Sequence, residues 1–287
     1  MTLFALMKAP APRILRFSLT ADLQREVQKT FADQLAFFEN SIEEVFAFDG
    51  RYSPESDEAL EIAGFQDVDG IITAIDRPLS IDQFDPARHS AESILALFMG
   101  HEHDIRVAAL IQIFDRRRII SKKRLSMFYS GDTFQQIRDD GITLGDSLLA
   151  VLENGVLKFK SFHLLRRVFD LSRHYEEATN EDVEAFASHD ALSVFDLDGF
   201  VTSAKPLVRR KISFIVKSGV LDAHSGKAIA EAALQFKLQI DLDPDERIIL
   251  PTDRVGLRRI LTFLAEDYYE SPLSKTHFVS NSKRPAE

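Results

Sequence analysis

Between residues 20 and 40 the apolar positions Leu23, Val27, Phe31, Leu35 and Phe38 recur three and four apart, the spacing that gathers one stripe on a helix of about 3.6 residues per turn. Asp22 and Glu26 occupy its first turns, where the helix dipole favours acids, and Thr20 offers a capping oxygen. Ahead of it, residues 13–19 (RILRFSL) alternate apolar and polar positions and predict a strand. Residues 42–48 and 71–75 predict further strands, with a loop at 51–58 (RYSPESDE). Pro78, Pro86 and scattered polar residues make 76–90 an irregular connection. A domain boundary is expected there, between residues 88 and 89.

Past residue 105 the texture changes. Residues 105–114 (IRVAALIQIF) are almost continuously apolar, as a strand buried on both faces requires. A turn is expected at 116–118, and 125–129 alternates again. Residues 148–152 and 156–159 flank Asn154-Gly155, a pair that accepts the positive φ angles of a tight hairpin. Helical periodicity follows over 162–175, 206–217 and 227–238, then a short strand pair around 241–246 (DLDPDE). Near the end, the short strand 248–250 gives way to Asp253 as an N-cap. Leu257, Ile260, Leu261 and Leu264 then form one helical face, with Pro272 expected to end it and a short segment at Phe278 and Val279 beyond. Meandering strands beside grouped helices predict an α+β fold of mixed antiparallel sheets in two domains, residues 1–88 and 89–287.

Composition narrows the class. The chain has 287 residues, enough for one large or two ordinary domains, with 23 Phe, no Trp and no Cys. Without cysteine there is no disulfide, thiol nucleophile or thiolate metal site, which suits a reducing compartment. The opening MTLFALMKAPAP lacks the charged-then-apolar order of a secretory signal, and no apolar run approaches the roughly 20 residues that span a bilayer. A cytoplasmic address is expected. The net charge is −10, and residues 20–70 carry it, with thirteen acids against three bases. The acidic excess disfavours a general nucleic-acid binder and leaves room for a basic face on the remainder.

Bases cluster there. Arg116, Arg117, Arg118, Lys122, Lys123 and Arg124 place six bases in nine residues; Arg166 and Arg167 lie opposite the apolar face of their helix; Arg209, Arg210 and Lys211 cluster on the next; Arg258, Arg259, Lys283 and Arg284 close the set. Such groups neutralise phosphates and release counterions, although bases also mark solvated sheet edges. Other motifs carry little chemistry. The 195–201 run FDLDGFV resembles a haloacid-dehalogenase opening, but Phe200 stands where threonine is usual, and a turn into a helix accounts for it better. Asp241, Asp243 and Asp245 have alternate calcium-loop spacing, yet Glu246 replaces the required glycine and Thr252 the bidentate glutamate. His101, Glu102, His103 and Asp104 lack a third ligand at a recognisable spacing, and Gly131 alone makes no phosphate cradle at 130–133. No metal, cofactor or catalytic constellation is expected.

The tail's order of strand, P-x-D, G-L-x-x-I-L-x-F-L, Y-x-S and N-S-K-R, together with FYSGDTF at 128–134 and FKSFHLLRRVFDLSRHYEEAT from Phe159, resembles the Kiwa anti-phage defence protein B family (KwaB-like) over roughly residues 105–284. That resemblance implies DNA binding through the C-terminal domain, a membrane-embedded KwaA-like partner subunit that would bring the chain to the inner membrane face, and interference with phage DNA. A homodimer or higher homo-oligomer is also expected. Two rivals stand beside it: an interaction module in which the bases are merely solvated, and a metal-dependent nuclease or phosphatase using Asp196, Asp198 or the Asp241 group.

Overall fold

The computed structural model describes residues 1–8, 13–66, 70–103, 106–121, 125–137, 139–171, 177–280 and 282–284. The architecture is α+β. Two compact units divide it: residues 1–48 with 53–171, and residues 49–52 with 172–287. The strands on either side of residue 88 share one sheet, so the first unit runs well past the expected boundary.

That sheet has eight strands, in the spatial order Ile14–Arg16, Leu3–Met7, Ile94–His103, Arg106–Ile113, Ala150–Glu153, Val156–Phe159, Glu58–Ala63 and Glu44–Ala47. Every pairing is antiparallel except the last, which is parallel. Side chains alternate between the two faces along each strand. On one face Leu3, Ala5, Leu97, Met99 and Leu110 pack with Val27 and Phe31 of the helix Ala21–Asn40, which Thr20 caps by accepting from the Leu23 amide. On the other, Phe4 and Phe98 stack at 5.0 Å, and Gly100 makes room for Ile75, whose Cγ2 would lie 2.5 Å from any added Cβ. Both faces are covered, and this explains the unbroken apolar runs. Each fully buried Phe or Leu contributes roughly 1.5–3 kcal/mol against the entropy of ordering the chain.

One polar network crosses the first core. The Gln112 side-chain amide donates to Gln34 Oε1, Gln34 donates to the Gly145 carbonyl at 2.7 Å, and the Gly145 amide donates back to Gln112 Oε1 at 2.8 Å. The ring is closed, so burying Gln112 costs little.

Three local expectations change. Residues 71–75 form part of the helix Ile71–Asp76 rather than a strand, because Ile71 and Ala74, three apart, are the buried positions. The 162–175 periodicity yields only the single turn Phe162–Leu165 before the chain turns again, and residues 172–176 lie outside those described. Pro272 does not stop the final helix: Arg254–Leu264 ends at its cap Ala265, and Glu266 follows at φ 58°. Pro272 instead lies between the strands Tyr268–Glu270 and His277–Val279, which pair antiparallel.

The second unit gathers the helices Asn180–Ala187, Leu197–Ser203, Pro206–Ser218, Gly226–Gln235 and Arg254–Leu264 around Val183, Phe186, Ile212, Ile215, Ile248, Leu261 and Leu264. A short parallel pair, Leu192–Ser193 with Ile248–Ile249, runs beside them.

Candidate functional site

In the helix Arg254–Leu264, Ile260, Leu261 and Leu264 face the core and Leu257 packs against it. That leaves Arg254, Arg258 and Arg259, four and five apart, exposed on the other flank. Asp253 fixes the first turn by accepting from the amides of Val255 at 3.1 Å and Gly256 at 2.8 Å. The helix Pro206–Ser218 packs beside it, burying Ile212 and Ile215, and its Arg210, Lys211 and Phe214 lie along the same groove. Arg51 comes from the segment 49–52, and Asp267, Tyr268, Val279 and Lys283 from the terminal hairpin and its flanks. The result is an open groove of about 690 Å³ in the second unit, in which seven bases face a single acid.

That acid is already engaged. Asp267 accepts from Lys211 Nζ at 2.6 Å and lies 3.0 Å from Lys283 Nζ, and all three side chains are largely shielded from solvent. Lys283 also donates to the Ala265 carbonyl. Arg51 and Arg210 both sit over the Phe214 ring, at 5.6 and 5.5 Å from its centroid, and Arg210 donates to the Gly50 carbonyl. Stacking and the carbonyl bond hold these guanidiniums at fixed positions, which lowers the entropy lost when an anion arrives. The side chains of Arg254, Arg258 and Arg259 make no ion pair among the described residues and point their charge at solvent. Asp49 Oδ2, outside the lining, pairs with Arg51 Nε at 3.0 Å; two carboxylates cannot offset seven cations, so the groove carries a net positive potential.

The bases expected from sequence divide between the units. Arg116, Arg117, Arg118, Arg166 and Arg167 belong to the first; Arg209, Arg210, Lys211, Lys283 and Arg284 belong to the second. Lys122, Lys123 and Arg124 lie outside the described residues. In the first unit Arg116 and Arg167 come together, with Lys8, Glu92 and Asp115, around a smaller pocket of about 370 Å³. The Arg117 amide, donating to Asp115, holds that carboxyl below its ordinary value, and the charges of Arg117, Arg167 and Arg118 act in the same direction. Arg118 turns inward over Gly145, where an added Cβ would lie 2.1 Å from its Nη1.

In the second unit Arg210, Lys211 and Lys283 line the groove, while Arg284 stacks over Tyr52 at 5.3 Å. Arg209 is spent within the fold. Its guanidinium donates to the carbonyls of Ala204 at 2.8 Å, Ala178 at 2.9 Å and Val201 at 3.3 Å, and to Asn180 Oδ1 at 2.6 Å. Sequence reasoning missed Arg51 and Arg254. Arg254 had a signal, since it precedes Arg258 by one helical turn; Arg51 had none, being a lone base in an acidic loop.

The acidic motifs resolve into caps and turns. Asp196 caps Leu197–Ser203 by accepting from the Gly199 amide at 2.9 Å. Asp243 accepts from the amides of Asp245 and Arg247, both at 2.9 Å, and from Arg247 Nε at 2.8 Å. Asp132 takes φ 59° in the turn between the paired strands Met127–Ser130 and Thr133–Gln136, with no helix following. His189 places Nε2 at 3.2 Å from Asp222 Oδ1, but its Nδ1 accepts from the Ala191 amide, so neither nitrogen is open to abstract a proton. Among the described residues no group of three or more His, Asp or Glu is placed to hold a metal, and no helix is long and apolar enough to cross a membrane.

Fold and groove together define a two-unit α+β protein with an open, strongly cationic groove on its helical unit. The family model described as Kiwa protein KwaB-like matches residues 108–274, more than half of the chain, and the chain belongs to that family. Membership implies a role in Kiwa anti-phage defence, alongside a partner in that system. No curated protein matches the chain, and no solved structure does.

Proposed function

We propose that this chain serves Kiwa defence by holding DNA through its phosphate backbone in the groove of the second unit, in concert with a membrane-embedded partner subunit. The observation that carries the proposal is the charge of that groove: seven bases against one acid, with Arg254, Arg258 and Arg259 exposed and unpaired among the described residues. Phosphates entering it displace condensed counterions, and the entropy of that release drives association. Contacts to phosphate oxygens carry no sequence information, so binding through them alone is indifferent to sequence. Arg116, Arg117 and Arg167 of the first unit provide a separate phosphate contact in this scheme.

The test is charge reversal, with Arg258→Glu and Arg259→Glu combined and affinity measured by fluorescence anisotropy on two duplexes of unrelated sequence. The proposal expects affinity to fall at least tenfold on both. Unchanged binding, or loss confined to one sequence, contradicts it.

A further inference from the structure

Beside the cationic groove lies an aromatic surface that phosphate binding leaves unused. In the terminal hairpin Tyr268 pairs with Val279, Tyr269 with Phe278 and Glu270 with His277. The first rung lines the groove. Alternation along the strands sends successive rungs to opposite faces. The ring of Tyr268 packs at 5.7 Å from Phe236 and 5.8 Å from Phe263, and His277 lies 4.7 Å from Phe236, so that face closes the core. Tyr269 and Phe278 take the opposite face. Their rings stack at 5.4 Å with 21° between planes, and 49% and 44% of their surface remains exposed. One rung from the cationic groove, the chain therefore displays a stacked aromatic pair to solvent.

Cations that track a backbone beside an aromatic platform are the two parts of single-strand recognition. Paired bases in a duplex present no free face, whereas an unpaired strand can place its phosphates in the groove and a base on the adjoining ring. Resting on the backbone-binding proposal above, we infer that the ligand is single-stranded nucleic acid, with Tyr269 and Phe278 stacking a base where the strand leaves the groove over the hairpin. The interaction is sequence-tolerant, because every base has a π-face.

The experiment compares a labelled dT oligomer, the same oligomer with abasic sites, an oligo(U) of equal length and a duplex of equal length, on the full chain. The expected result is a preference for dT over duplex of about fivefold or more, from the stacking of one base. That preference should vanish on the abasic strand and in Tyr269→Thr/Phe278→Thr, whose β-branched replacements suit the strands, while duplex affinity stays unchanged. An equal preference for oligo(U) also supports the inference and extends the ligand to RNA. Equal affinity for dT and duplex, or an abasic strand that binds as well as dT, overturns it. In that case Arg258→Glu/Arg259→Glu still tests the groove: loss of all binding leaves the backbone proposal standing. Failure of the unaltered chain to bind any of the four ligands removes both.

Discussion

Arginines of equal charge have opposite duties here. Arg209 satisfies three backbone carbonyls and the Asn180 amide oxygen, whereas the Arg258 side chain is exposed to solvent. Truncating Arg209 strands those carbonyls, so Arg209→Ala should destabilise the protein by about 2 kcal/mol, while Arg258→Ala stays within about 0.5 kcal/mol. Urea midpoints measure both. Reading the sequence could count these bases but could not separate them, because the partners of Arg209 lie up to 31 positions away. Gly226 makes a similar point. A methyl group there would lie 2.2 Å from the Glu246 carbonyl oxygen, which is backbone and cannot swing aside. Gly226→Ala should therefore cost about 1–3 kcal/mol despite the usual helical gain from alanine.

At the scale of elements, local chemistry was legible at several cap and turn residues, though not at Pro272, which lies past the end of the helix it was expected to stop. Thr20, Asp253 and Asn154-Gly155 mark a helix start, another helix start and a hairpin, and the structure places them so. Short apolar runs were not. Residues 71–75 suit either period, and tertiary packing of Ile71 and Ala74 chose helix. The capping box at Asn180–Ala187 leads to a pH prediction. Asp182 accepts from the Thr179 amide, first of all, and from its hydroxyl, which lowers its carboxyl below the ordinary 3.8. A carboxyl depressed in the folded state adds stability above its unfolded value and loses it as pH falls through the lower folded one. Stability from this cap is thus complete above about pH 5 and declines below about pH 4. Asp182→Asn should flatten that decline in urea midpoints measured between pH 6 and 3; an unchanged acid limb would exclude the cap as a contributor.

At the scale of the whole molecule, the α+β class and the acidic opening were readable from pattern and composition, but the topology was not. The strand Leu3–Met7 pairs with Ile94–His103, and Glu58–Ala63 pairs with Val156–Phe159. No local signal encodes pairings between segments so far apart, and a boundary drawn from Pro-rich sequence at 76–90 fell inside one sheet. The segment 49–52 likewise leaves its neighbours to join the second unit, taking Arg51 to the groove. The groove is therefore a product of topology, while its charge is a product of sequence. Its proposed role in binding phosphate backbone is tested most directly by the salt dependence of duplex affinity, in the unaltered chain and in Arg258→Glu/Arg259→Glu. The account predicts a linear fall of log affinity with log salt, at a slope of about −0.9 for each phosphate neutralised, and a shallower slope with weaker binding in the variant. Affinity that does not change between about 50 and 200 mM salt, or a variant with the same slope and strength, would contradict it.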